Sequence, residues 1–188
     1  LLLSAYDLAG REEALRDAVE QVLKDFPKGD PVLKMAIGRR DLALGRVADA
    51  IKHFRKAREQ LKQRGARPRR QARAWYWIGR CHLDRGDNAP AQIALDQALS
   101  LDPSSADAHF WLGEVHSGRK RYAEAAGSFR RAVAIDPLVT EFAYHSLGET
   151  YLQLRRRKDA ERAFRTYLEL WPKGDLATAA SDALRKLR

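Results

Sequence analysis

A glycine followed by four residues at fixed distances recurs along this chain and limits what the chain can fold into. After Gly113, the next members lie 12, 16, 19 and 24 residues later, at Ala125, Phe129, Ala132 and Pro137. The same series starts at three other glycines, which are Gly38, Gly79 and Gly148, although the copy from Gly38 has Lys62 at the proline position. The four glycines are 41, 34 and 35 residues apart. A regular period of this length is the signature of a repeat architecture.

Each copy of the series predicts a pair of helices. In one copy, residues 106–118 and 122–135 place apolar side chains at three- and four-residue steps, and Pro137 ends the second helix. Small residues at Gly113 and Ala125 would let two helix backbones approach closely. The bulky side chain of Phe129 would then fill the remaining space. We therefore interpret the series as a packing code and not as a chemical site.

The repeated residues resemble the tetratricopeptide repeat, in which Trp-x-x-Leu-Gly-x-x-Tyr is followed by Ala, Phe, Ala and Pro. The corresponding segments read "WYWIGRCH", "HFWLGEVH" and "YHSLGETY". The resemblance implies an all-α, right-handed superhelical solenoid of antiparallel helix pairs with a C-terminal capping helix. Tyr167 replaces a small alanine of the pattern, and we expect looser packing after the last repeat.

The resemblance divides residues 1–188 as a single solenoid domain. We expect a truncated repeat over 1–30, repeats over 31–64, 72–105, 106–139 and 141–174, a basic linker or insertion over 65–71, and a capping helix over 175–188. Asp175 is the predicted N-cap of that last helix. Because the chain begins at Leu1, we interpret it as a piece of a longer protein.

Positive charge is concentrated in one part of the chain. The net charge is +10, and residues 31–71 hold 13 Lys and Arg against 3 Asp and Glu. We interpret residues 52–73 as an elongated helix with a solvated basic face and a flexible linker. The alternative is that this segment binds nucleic acid or another anionic surface. Few aromatic residues accompany these charges, which argues against base stacking.

The sequence offers little for catalysis or metal binding. It has no Ser-His-Asp order, phosphate loop or dinucleotide fingerprint, so we predict that the chain is not an enzyme and holds no cofactor. His82 and His116 occupy a tyrosine position of the repeat, and the single cysteine, Cys81, is next to His82. No spacing of these residues is typical of metal ligands, so we predict no metal site. One cysteine is compatible with the cytoplasm without establishing a compartment. No apolar run is long enough to span a membrane.

The resemblance also implies where a partner would bind, because tetratricopeptide arrays use the inner face of the first helix of each repeat. Here the flat side chains of Tyr76, Phe110 and His145 would form a ladder along that face. Arginines would lie at its early end and carboxylates at its late end. The predicted groove residues are Met35, Arg39, Arg73, Tyr76, Arg80, Asp84, Asp107, Phe110, Glu114, Phe142, His145 and Glu149.

The function that follows is a non-catalytic scaffold that binds a peptide or helix of a partner protein, with acidic and aromatic residues in that partner. The family's carboxylate clamp, built from Lys and Asn, is not expected. The matching face offers Met35, Trp77, Asp107 and Trp111. Two alternatives remain open: binding of nucleic acid through residues 52–73, and self-assembly in which the groove takes a helix from a second copy.

Overall fold

The computed structural model describes residues 29–187, and within this range all regular structure is helical. The predicted truncated repeat over 1–30 lies almost entirely outside the described residues. The helices are α1 Pro31–Ala43, α2 Val47–Gln63, α3 Pro68–Asp84, α4 Asn88–Leu101, α5 Ala106–Gly118, α6 Tyr122–Ile135, α7 Phe142–Gln153, α8 Arg157–Leu170 and α9 Ala177–Leu187. None of these helices is long and apolar enough to cross a membrane.

The helices form two compact units, one ending at Pro103 and the other beginning at Ser104. In the first unit α1 packs against α2 and α3 against α4, while α2 joins the two pairs by packing against α3. In the second unit α5 packs against α6 and α7 against α8, and α6 packs against α7. The all-α array of helix pairs predicted from the sequence is therefore confirmed.

The close approach predicted at the repeat glycines is present in every pair. A Cβ atom added to any of these glycines would lie 2.5 to 2.8 Å from the side chain sixteen residues later, closer than real Cβ atoms come. The glycine thus leaves space that a bulky residue of the second helix fills. The facing pairs are Gly38 with Phe54, Gly79 with Leu95, Gly113 with Phe129 and Gly148 with Phe164.

Tyr167 packs tightly, so the expectation of looser packing after the last repeat is wrong. Its side chain is fully buried, and its hydroxyl oxygen accepts a hydrogen bond from the backbone N–H of Leu176 at 3.0 Å. A Cβ added to Gly174 would lie 2.5 Å from the same hydroxyl. Tyr167, which is larger than the alanine of the repeat pattern, therefore fills the space beside the turn that leads to α9. Its hydrogen bond to Leu176 holds that turn in position.

The last helix covers the end of the second unit. Ala180 is buried, and Ala183, Leu184 and Leu187 pack against the hydrophobic core of that unit. Because the helix begins at Ala177, the residue that precedes it is Leu176. The prediction of Asp175 as its N-cap is therefore wrong by one position.

The seven extra residues between the first two glycines are mostly helical. Both α2 and α3 have 17 residues, whereas α4 and α5, the corresponding helices around the next connection, have 14 and 13. Three additional residues in α2 and four in α3 thus account for the insertion. Residues 68–71, which we expected in a linker, form the first turn of α3, with Pro68 at a position that favours helix initiation.

Replacing Gly113 by alanine should destabilise the protein by about 1–3 kcal/mol, because the new methyl group overlaps the buried ring of Phe129. Urea unfolding followed by circular dichroism measures the change. The matched control is Gly127→Ala on α6, where an added Cβ meets nothing within 4 Å. That change should instead stabilise the helix by roughly 0.5–1 kcal/mol. Equal stabilities for the two variants would contradict the packing assignment.

Candidate functional site

A recess of about 340 Å³ opens in the first unit, and we call it the arginine recess. Helix α1 contributes most of one wall, α3 contributes the other, and α2 contributes a single leucine near its end. The lining residues are Pro31, Val32, Met35, Ala36, Arg39, Leu61, Arg70, Arg73 and Trp77.

Helical spacing explains how the two walls arise. On α1, Val32, Met35 and Arg39 are three and four residues apart and therefore share one face. The same spacing on α3 brings Arg70, Arg73 and Trp77 to one face. A neighbouring side of α1 carries Gly38 and packs on Phe54 of α2. The packing code thus turns these faces toward the recess.

Trp77 is held firmly at the recess. Its ring stacks on Phe54 with the ring centres 5.8 Å apart and the planes 15° from parallel. The guanidinium of Arg39 lies 5.0 Å from the centre of the Trp77 ring, at the distance of a cation–π contact. The arginine and the tryptophan therefore fix each other, and both are half-buried.

Positive charges in the recess lie close enough to affect one another. Burial is the main cause that lowers the pKa of Arg39, and the nearby charge of Arg73 lowers that pKa further. A guanidinium stays protonated in proteins even so. The positive charges of Arg39 and Arg73 are therefore close together where Arg39 is partly buried. This arrangement is electrostatically unfavourable unless an anion is bound.

The arginines around the recess differ in their partners. Arg64 forms an ion pair with Asp30 at 3.3 Å, and Arg69 forms one with Asp102 at 3.2 Å. The three arginines that line the recess are Arg39, Arg70 and Arg73. None of them forms an ion pair with another residue in the range 29–187.

Of the predicted groove residues in the first unit, Met35, Arg39 and Arg73 line the recess. Tyr76 lies beside it on α3, half-buried, with its ring edge-on to Trp77 and 5.0 Å from it. Arg80 pairs with Asp84 at 3.4 Å, one turn further along the same helix.

The predicted residues of the second unit fall into buried and exposed groups. Phe110 is only 3% exposed and packs against Phe129 with ring centres 5.7 Å apart, so it is a core residue with no ring face for a partner. His145 packs edge-on to Phe164 at 5.4 Å. Burial lowers the pKa of His145, which is therefore neutral at pH 7. The remaining positions are more accessible: Glu114 is half-buried, and Asp107, Phe142 and Glu149 are exposed.

Sequence reasoning missed Leu61 and Arg70 as lining residues. Arg70 falls in the insertion predicted over 65–71, where no other repeat supplies a matching position. Leu61 falls in the last turn of α2, which is longer than the second helix of the other repeats. The signal that could have placed them was Pro68, a residue favoured in the first turn of a helix. The structure shows that a helix does begin there.

The second unit contains a more open and more polar recess. It lies between α7 and α9 and has a volume of about 710 Å³. Both signs of charge contribute to its wall, including Glu149 and Asp182 together with Arg155 and Lys186. This mixed lining selects no particular class of ligand.

No group of three or more His, Cys, Asp or Glu side chains that could hold a metal ion occurs in the described part of the chain. His82 is buried, and its Nδ1 lies 3.5 Å from a carboxylate oxygen of Asp87. Cys81 is fully buried, and burial is the main cause that raises its pKa to about 12. A thiol in that state is a poor nucleophile and a poor metal ligand.

Family models described as "Tetratricopeptide repeat" match residues 35–91, 83–139 and 143–173, which is well over half of the chain. No curated protein sequence matches the chain. Similar folds occur among solved structures.

A crystal structure of MamA is 26% identical over 83% of this chain and 85% of its own, with a TM-score of 0.64. A second crystal structure of MamA protein is 23% identical over 89% and 84%, with a TM-score of 0.63. The first TPR of Spaghetti (RPAP3), bound to the HSP90 peptide SRMEEVD, is 22% identical over 62% and 91%, with a TM-score of 0.56. The likenesses below 25% identity show the fold alone.

The thiol of Cys81 should react slowly with Ellman's reagent in the folded protein at mildly alkaline pH, because a raised pKa and full burial leave little accessible thiolate. Cys81 is the single cysteine of the chain, so the absorbance change reports on it alone. The same chain unfolded in guanidinium is the control and should react quickly. Equal rates in the two states would show that the described packing around α3 is wrong.

Proposed function

Since the chain belongs to the tetratricopeptide repeat family, we propose that it is a non-catalytic interaction scaffold that binds a peptide or helix of a partner protein. The observation that carries the proposal is the arginine recess. It combines an apolar lining with arginines that lack carboxylate partners in the described residues.

The chemistry of the lining is that of a protein interface. Val32 is 52% exposed although it is aliphatic, and Met35 beside it is half-buried. Methionine adapts its shape to different partners, and arginine and tryptophan are enriched among the residues that contribute most to binding. The recess supplies all three residue types on two neighbouring helices.

A solved relative of the same fold supports this mode of binding. The first TPR of RPAP3 is bound to a short peptide of HSP90. At 22% identity the likeness does not transfer that partner to this chain. It supports only the proposal that a short protein segment is the kind of ligand this fold accommodates.

Other predicted positions extend the proposed site within each unit. In the first unit, Tyr76, Arg80 and Asp84 follow the recess along α3. In the second unit, the exposed side chains of Asp107, Phe142 and Glu149 are proposed contacts. Phe110 is not included, because it is buried in the core.

The experiment uses a phage-displayed library of random peptides, with the chain as the immobilised target. The proposal predicts that peptide ligands are recovered. Met35→Ala should weaken their binding by about 1 kcal/mol or more, roughly fivefold, because it removes apolar contact in the recess. Isothermal titration calorimetry measures the affinity, and circular dichroism checks that the variant is folded.

The matched control is Ile93→Ala, which removes an aliphatic side chain that is 64% exposed on α4 and outside the recess. Its affinity for the same peptides should be unchanged. Recovery of no peptide, together with binding of random-sequence RNA that falls steeply with salt, would replace the proposal by the nucleic-acid alternative.

A further inference from the structure

The arginine recess depends on the part of the chain that distinguishes the first repeat from the others. Leu61 lies in the last turn of α2, and Arg70 lies in the first turn of α3. Both belong to residues 61–71. In the next repeat the equivalent connection is the four residues 102–105, between the end of α4 and the start of α5. The recess is therefore a property of this chain and not of the repeat in general.

The extension, residues 61–71, adds Arg70 to the recess and contains no Asp or Glu. Arg39, Arg70 and Arg73 line it and form no ion pair within residues 29–187. The first turn of α3 contains no acidic residue, although acidic side chains are favoured at a helix N-terminus. The partial positive charge of that helix end adds to the three guanidinium groups. An anionic ligand would relieve this repulsion.

The apolar part of the recess selects among anionic ligands. Val32, which is 52% exposed, and Met35, which is half-buried, offer apolar surface, and a purely ionic ligand would leave this surface unused. We infer that the arginine recess binds an acidic protein segment, which packs one apolar side chain against Val32 and Met35 and places carboxylates against Arg70 and Arg73. This inference rests on the proposed function and names the class of partner.

The state of the tryptophans favours a protein segment over single-stranded nucleic acid. Bases stack on open aromatic faces. The ring of Trp77 already contacts Phe54 and Arg39, and Arg58 lies 4.5 Å from the ring centre of Trp75. Each of these two tryptophans of α3 is thus half-buried and already has an arginine over its ring. The arginines themselves do not discriminate, because their paired N–H donors match carboxylates and phosphates alike.

The test compares two charge-reversed variants against peptides recovered from the random library. The sequences of those peptides should be enriched in Asp and Glu around one apolar position. Arg70→Glu combined with Arg73→Glu should weaken their binding about tenfold or more, measured by fluorescence anisotropy at physiological salt. Peptides with Lys in place of Asp and Glu should bind this variant better than they bind the unchanged chain.

The control variant combines Arg55→Glu with Lys56→Glu. It makes the same change of net charge on exposed residues of α2 outside the recess. Its affinity should stay close to that of the unchanged chain, because Arg55 and Lys56 do not line the recess and the solvent screens exposed charges at physiological salt.

Four outcomes would overturn the inference. Neutral or basic peptide ligands, or equal losses in the two variants, would do so while leaving the proposed scaffold function intact. Single-stranded RNA whose binding is lost only in the Arg70 and Arg73 variant would assign the recess to nucleic acid. Failure to recover any peptide would remove the proposed function and the inference together.

Discussion

The contact between a glycine of one helix and a bulky side chain of the next is the interaction on which the rest of the structure depends. Glycine is unfavourable inside a helix by about 1 kcal/mol relative to alanine, so its presence at Gly38, Gly79, Gly113 and Gly148 needs a compensating gain. That gain is the complete burial of the facing side chain, which is worth about 1.5–3 kcal/mol. The contact fixes how closely the helices approach and hence which face of each first helix stays available.

The framework and the candidate site have different origins within the same unit. The glycine contacts recur in both units, whereas the arginine recess occurs where two helices are extended. The longer α2 and α3 add Leu61 and Arg70 to the lining of a recess that Met35 and Arg39 of α1 also line. A repeat that otherwise only supports its neighbours thereby gains a concave surface with a charge preference.

Much of the fold could be predicted from the sequence, because the packing code repeats and each copy supports the others. Positions that occur once could not. Residues 68–71 were expected in a linker, since nothing in the other copies matches them, yet they begin α3. Phe110 was expected to face a partner because it shares the position of Tyr76, but its ring fills the core beside Phe129. Periodicity assigns a residue to a helix face, and the volume of its neighbours decides whether that face is open.

The most direct test is a variant in which Asp-Pro-Ser-Ser, the sequence of residues 102–105, replaces residues 61–71. Its folding and its affinity for the peptide ligands are compared with those of the unchanged chain. This graft keeps every glycine contact and sets the spacing from Gly38 to Gly79 to that found between Gly79 and Gly113. The account predicts a helical chain that unfolds in a single cooperative transition, with peptide affinity at least about tenfold weaker. Unchanged affinity would contradict the assignment of the site to the extension, and loss of cooperative folding would contradict the claim that the glycine contacts maintain the fold.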